Sequence, residues 1–520
     1  MMRALICGAG IAGLALAQRL SAHGWAVTVV ERAPRPREQG YMIDFFGLGY
    51  DAAEAMGLLP RLRELAYPIE EVSYVDASGR RRAGIDYVRA ARLVDGRLLT
   101  LMRPDLERAL REQVAPEADL RFGCTVGSLD LLPAGVRVAL TDSTVMEVDL
   151  LVGADGIHSS IRQMVFGDEA QFFRYLGFHT AAYVFDDPVI RRRIGSSYAL
   201  TDTVDRAMGF YGLRDGRVAA FAVHRDPVAV IPADTRAAMR RAYSSPGWVA
   251  PRALAACPPP CDLFYDLVAQ VEVPQWHHGR VVLLGDACQA VSLLAGQGAS
   301  LAVAGAYVLG EQLTAGGPVE DALSRYEQAW KPVVQAKQEA GRRSAQWFLP
   351  SSRLRLRLRR TALKLAAVPG ADRIIGAGLV GRTPRSLTDL RMRGRRRNPS
   401  EGNRATPQDD PESTPRVHSV PEAEPAVGTV VAPGAAEIRE CCSGARAVLR
   451  RPGGAIGNGG AGAVGRVRRR AGREQSMTRT RQDPPQNPSG WWRMGHLLDR
   501  VLDVVSVVPL LGWLIRIIGR

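Results

Sequence analysis

The amino-acid sequence predicts an α/β protein: a Rossmann-like nucleotide-binding domain, interrupted by a mainly antiparallel β-sheet domain and followed by a disordered tail. Three observations carry that expectation. The chain opens with a short apolar run, Ala4 to Cys7, then a turn with glycines at 8, 10 and 13, then a helical pattern from Leu14 to His23. The same order of apolar run, acid and glycine returns at Val148 to Arg162 and again at Val281 to Leu301. Between these repeats, from Phe172 to about Val273, polar and apolar residues alternate between turn signals, as strands of a half-covered sheet do.

Each element of the opening has a physical reason. The first glycine permits the tight turn, the second lets backbone approach a pyrophosphate, and the third lets helix and strand pack closely. The helix N-terminus attracts the phosphate charge. Ala26 to Val30 reads as a second strand closed by Glu31 and Arg32, and Glu31 lies 18 residues after Gly13, placed to accept from a ribose hydroxyl. Arg3 and the apolar stretch to Leu20 resemble a secretion signal in composition, but such a signal has no use for this glycine spacing. The start is therefore read as folded and cytoplasmic.

Further along, Val72 to Tyr87 alternates around a Ser78-Gly79 turn and is expected to be a hairpin. Met102 to Val114 reads as a helix, with Pro104 admissible in its first turn. Leu129 to Leu140 and Val145 to Val152 read as strands, and a helix is expected to begin near Ser159. Val281 to Leu284 is a buried strand followed at once by Asp286, and Gly296-Gln297-Gly298 leads into an alanine-rich helical pattern from Ala299 to Leu309. The segment Arg353 to Lys364 alternates Arg and Leu like a strand. It also fits a basic amphipathic helix, either packed on the core or lying on a membrane surface.

At 520 residues, 46% hydrophobic and 23% charged, the chain is long enough for two domains and ordinary in composition. Its net charge of +15 is not ordinary, but residues 391–520 hold 22 basic against 12 acidic side chains and so supply +10 of it. Basicity held mostly in a tail removes the main support for nucleic-acid binding. Seven scattered cysteines suggest no disulfide framework, and Cys257 and Cys261 lack the second pair a zinc site needs. The histidines show no metal spacing: His277-His278 is expected as an exposed loop pair and His224 as a packing residue of the sheet. No metal is expected. The expected boundaries are residues 1–170 and 274–390 for the two parts of the nucleotide-binding domain, with a hairpin near 72–100 on the substrate side, and 171–273 for the sheet domain. A disordered basic linker follows over 391–490, then an apolar segment, 491–520, whose charge-free core, Val504 to Ile515, is too short for a membrane span. That segment and the basic helix leave peripheral membrane contact as an alternative.

Three motifs in this order resemble the FAD-dependent monooxygenases of the aromatic hydroxylase type, the p-hydroxybenzoate hydroxylase-like group. They are GAGIAG with Glu31, GADGIHSSIR from Gly153 to Arg162, and GDACQ…GQG from Gly285 to Gly298. The resemblance implies an FAD-binding domain of the glutathione-reductase type. It also implies that Gly8, Gly10, Gly13, Glu31 and Arg32 hold the ADP half of FAD, and that Arg103 reaches the cofactor from its helix. Asp155 would help position FAD and bear on NADPH or NADH use, and Asp286 would contact ribityl or ribose hydroxyls. Gly296, Gly298 and Ala299 would lie along the N1 and O2 edge of the flavin, where a helix N-terminus stabilises negative charge by about 0.3–2 kcal/mol. In such enzymes NAD(P)H reduces the flavin, oxygen adds at C4a, and the hydroperoxide hydroxylates a small, electron-rich substrate, aromatic or polyketide-like. No catalytic side chain is assigned.

The chain departs from the common GDAAHxxxPxxGQG pattern at Cys288, Gln289 and Leu293, which puts substrate class and proton handling in question. Two other readings stay open at this level: a flavin-dependent reductase of isoprenoid lipids, and a non-catalytic flavoprotein that binds a ligand.

Overall fold

A computed structural model of the chain describes residues 1–36, 40–92, 96–292 and 296–366. Its central sheet has six strands in the order His277–His278, Val281–Leu283, Leu150–Gly153, Arg3–Cys7, Ala26–Glu31, Asp119–Phe122. All neighbours are parallel except the first pair. Every residue of Leu150–Gly153 and Val281–Leu283 is buried, as parallel strands covered on both faces require. The register pairs Cys7 with both Gly153 and Val30, and Gly153 with Leu283. All three sequence motifs therefore leave their strands at one carboxyl edge, where open α/β sheets bind ligands.

The alternating block forms a seven-stranded sheet in the order Phe264–Val271, Phe173–Phe185, Val218–Arg225, Arg206–Gly212, Tyr198–Thr201, Glu71–Val75, Arg81–Asp86. It is antiparallel throughout, except where Tyr198–Thr201 runs parallel to Glu71–Val75. The expected hairpin is the last of these pairs, and it joins the sheet at its edge. Two smaller sheets complete the described strands: Met42–Phe46 with Leu98–Met102, and the meander Val126–Leu132, Gly135–Leu140, Val145–Val148.

One expectation needs correction. Val145 to Val152 is not one strand. It breaks at Asp149, whose carboxylate accepts from the Arg3 backbone N–H at 2.7 Å, and the halves enter different sheets. The Arg–Leu alternation is a helix, Arg353–Ala366, packed on the core through Leu356, Ala362 and Leu363, with Arg353, Arg355, Arg357 and Lys364 exposed. Arg359 and Arg360 both reach the fully buried carboxylate of Asp202, and the Arg359 guanidinium lies 4.6 Å over the Tyr74 ring. No helix among the described residues is long and apolar enough to cross a membrane. The expectations for residues 391–490 and 491–520 lie outside the described residues.

Candidate cofactor and active site

The first turn is built around two close approaches. Gly8 has φ +112°, and a Cβ there would meet the Ala154 carbonyl oxygen at 2.3 Å; a Cβ on Gly13 would sit 1.9 Å from the Gly8 oxygen. No side chain fits either place, so the glycines bring the first helix, Ile11–Ser21, against the strand ends. Gly10 caps that helix, and a Cβ there would come no nearer than 3.9 Å to Glu107 Oε1 and 4.0 Å to Arg103 Nη2. Glu31 closes the loop by accepting from the N–H of Ala9 at 3.0 Å and of Ala33 at 2.9 Å. Each of its oxygens keeps a second acceptor site for a hydroxyl.

The second motif is organised by its acid. Asp155 accepts from the Ser159 hydroxyl at 2.5 Å, the Ser160 N–H and hydroxyl at 2.7 and 2.9 Å, and the Ile161 N–H at 3.2 Å. It satisfies the N-terminus of helix Ser160–Phe166 while forming part of the cavity wall. Arg162, fully buried, donates to the carbonyls of Ala287 at 2.9 Å and Ile157 at 2.8 Å, and to Glu169 at 3.1 Å. It ties the second motif to the third. Burial pulls its pKa down, and Glu169 opposes that pull.

In the third motif, helix Gly298–Thr314 starts without a side-chain cap, so its first amides are free where Gly298 and Ala299 face the cavity. Gly296 lines the same wall. Asp286 opens onto the cavity, and among the described residues its carboxylate has no hydrogen-bond partner. Asp286 is exposed to the open cleft, yet the protein packed around it pushes its pKa up; Arg103 pulls it down and Asp266 pushes it up again. Arg103, at the start of helix Arg103–Glu112, is held by Glu107 at 2.9 Å.

These walls enclose two adjoining cavities of about 230 and 320 Å³ that share Gly10, Arg32, Arg103, Asp155, Gly156 and His158. Glu31 and Gly8 line one end; Asp286, Gly296, Gly298 and Ala299 line the other. An elongated ligand with an anionic middle and polyhydroxyl parts suits this groove. FAD fits it: free helix amides, spare carboxylate acceptors and an unpartnered Asp286 stand where phosphates, hydroxyls and an electron-rich ring need them. Gly13 lines neither cavity and acts by packing alone.

Sequence reasoning gave no role to four residues on the wall nearer the seven-stranded sheet. Tyr41, Thr180, Phe264 and Asp266 line the second cavity, with the Tyr41 ring 5.7 Å from that of Phe264. Burial pushes the Tyr41 phenol up to about 12, so it stays a neutral donor. His158 sits between motif and sheet, 3.0 Å from Glu169 and 3.7 Å from Asp266. Asp266 first, then Glu169, raise its pKa to about 9 against the cost of burial, so it is cationic at neutral pH. Alternation along Phe264–Val271 was the available signal, since Phe264 and Asp266 share one strand face.

Cys288 and Gln289 do not lie where the substrate was expected. Both are buried behind the wall; Gln289 accepts from Trp330 Nε1 at 2.7 Å and donates to the Leu301 carbonyl at 3.2 Å. Gln289 brackets two helices and lines neither of the two cavities described above. The expectation for Leu293 lies outside the described residues. His277 is no exposed loop residue: it forms a short edge strand with His278 and bonds Glu327 at 2.9 Å.

The relatives agree with this geometry. Residues 1–340 match the FAD binding domain family. A flavin-dependent monooxygenase of a Phoma species is 30% identical over 400 residues, covering 70% of this chain and 92% of that one. An uncharacterized protein of Mycobacterium tuberculosis is 32% identical over 323 residues, or 61% of this chain and 86% of its own. Among solved structures, the tetracycline destructase Tet(55) superposes with a TM-score of 0.61 at 26% identity, covering 71% of this chain and 98% of that one. With three motifs meeting at one sheet edge and a family match spanning most of the described residues, the chain belongs to the FAD-dependent monooxygenases of the aromatic hydroxylase type.

Proposed function

We propose that the enzyme is an NAD(P)H-dependent hydroxylase of a small, electron-rich organic substrate of aromatic or polyketide-like type. The observation that carries this reading is the second cavity, bounded on one side by Asp286 and the free amides of the Gly298 helix and on the other by the sheet residues Thr180, Phe264 and Asp266. Bound FAD would supply the redox chemistry, hydride acceptance from the nicotinamide and activation of molecular oxygen. The chain's own residues bind, orient and exclude water. Gly8, Gly10, Glu31, Arg32 and Arg103 hold the ADP half, with Gly13 shaping the turn from behind. Asp155 fixes the loop beside the flavin, and Asp286 takes the ribityl hydroxyls. Gly296, Gly298 and Ala299 stabilise negative charge on the ring by the helix dipole. Tyr41 and Phe264 offer apolar ring surface to a flat substrate, and the neutral Tyr41 phenol offers it a proton donor.

The isoprenoid reductase reading rests on the basic helix and on the apolar C-terminal segment, which lies outside the described residues. Two arginines of that helix are committed to the buried Asp202, which weakens the case. The test is oxygen and nicotinamide consumption by the flavin-loaded protein over a panel of phenols, polyketides and isoprenoids. Substrate-stimulated oxidation with an oxygen-18 label in the product supports hydroxylation. A reduced product with no oxygen uptake would replace it by the reductase, and a folded preparation devoid of flavin would sink both.

A further inference from the structure

The opposite face of the seven-stranded sheet carries a second cluster. Along Phe173–Phe185, Thr180 points to the cofactor cavity, so strand periodicity turns His179 to the other side with Ala181 and Tyr183, two members of a separate hydrophobic core. His179 lies directly across from His224 on the neighbouring strand, with ring centroids 5.4 Å apart. Asp226, two residues beyond His224, returns to the same side. One ligand atom from each of His179, His224 and Asp226 lies within 4.8 Å of the others.

The surroundings prepare these atoms. His179 Nε2 is 2.8 Å from the Val228 carbonyl, which can only accept, so Nε2 carries the proton and Nδ1 carries the lone pair. A backbone carbonyl in that position fixes the tautomer of metal-bound histidines in the same way. Nδ1 faces the Tyr265 hydroxyl at 2.9 Å, and His224 Nδ1 lies 3.3 Å from the Tyr243 hydroxyl, groups whose O–H hydrogens can rotate to other acceptors. One Asp226 oxygen accepts from the Val228 N–H at 2.8 Å, which orients the carboxylate. A cavity of about 320 Å³, lined by His224, Asp226 and Tyr265, gives access. Arg206 and Arg225 border it, but they are engaged by the Ala242 carbonyl and Asp205, each at 2.7 Å. Arg241 also lines it and adds positive charge.

We infer that His179, His224 and Asp226 form a binding site for a divalent transition-metal cation of the zinc class, separate from the cofactor cavity. Two imidazole nitrogens and one carboxylate oxygen with a position open to a cavity suit such an ion. Bonds of about 2.0–2.2 Å require the three atoms to draw together by about 1 Å from their widest separation, within reach of side-chain rotation. The site would clamp the segment after Asp226 onto the sheet.

The test uses full-length, FAD-loaded protein, stripped with a chelator, dialysed and titrated with Co²⁺ alone. The expected result is ligand-field absorption beyond the flavin bands, saturating at one ion per chain and displaced by Zn²⁺. His224→Ala, His224→Gln and Asp226→Asn each weaken binding about tenfold or more, whereas His278→Ala does not. Zn²⁺ raises the unfolding temperature of the parent protein but not of these variants, whose flavin absorbance reports that they are folded. Absence of a saturable band in the parent protein, or unchanged affinity in folded His224 and Asp226 variants, overturns the site and leaves a hydrogen-bonded aromatic cluster.

Discussion

Glu31, proposed to hold the ADP half of FAD, is already part of the scaffold. Its two oxygens already hold the amides of Ala9 and Ala33, so Glu31→Gln turns an amide NH₂ toward one of those N–H donors. An unmade buried hydrogen bond costs about 1–3 kcal/mol, so FAD affinity should drop by about tenfold or more, read as flavin fluorescence quenching on titrating the apoprotein. A variant that binds FAD like the parent protein would remove Glu31 from the site. His158 sets a pH dependence. Its folded pKa of about 9 stands above its unfolded value of about 6.5, so its contribution is fully present below about pH 6.5 and fades as pH rises through 9. The difference in unfolding midpoint between the parent protein and His158→Gln should therefore be largest below pH 6.5 and vanish above 9; a difference that grows with pH would contradict the pairing with Asp266 and Glu169.

Between elements, the strongest constraint is the anchoring of helix Arg353–Ala366. Arg359 is almost wholly buried against an Asp202 that is itself fully buried. Removing one member of such a pair costs about 3–5 kcal/mol, so Asp202→Ala should lower the denaturant midpoint sharply, while Arg355→Ala on the exposed face should stay within about 0.5 kcal/mol of the parent. Equal effects would mean that the helix is held by its apolar side alone. Gln289→Leu offers a second test, since it leaves the Trp330 N–H buried without an acceptor at a cost of about 1–3 kcal/mol. The bound-flavin spectrum should not change; a shifted spectrum at unaltered stability would return Gln289 to the cavity. Neither bracket was legible beforehand. Asp202 and Arg359 are 157 positions apart, and an alternating Arg–Leu string has the same period whether it lies on a core or in water. The glycine turns, the three motif strands and the hairpin were legible because their signals are local: a φ only glycine tolerates, a short apolar run, a turn residue between alternating segments.

For the whole molecule, every residue assigned to the cofactor and both sheets lie before residue 367, and the family match ends at 340. A chain truncated after Leu390 should thus bind FAD with the affinity of the full chain. Loss of flavin-loaded protein on that truncation would show that later residues support the fold. The cavity wall built from the three motifs was legible in advance because each motif is local and has a fixed spacing. The sheet-side wall was not, since Tyr41, Thr180 and Asp266 come from three separate strands or loops whose convergence depends on strand order rather than on spacing.

Arg162 has a consequence for how the cofactor leaves. One guanidinium is bonded to the backbone of both the Ile157 turn and the Ala287 turn, so neither wall can loosen while those bonds persist. Opening is then all-or-none across two loops 130 residues apart (Ile157 and Ala287): amide protons on both should exchange with solvent as one cooperative unit, at a common rate, and flavin release should be gated by that event rather than by the breathing of either loop.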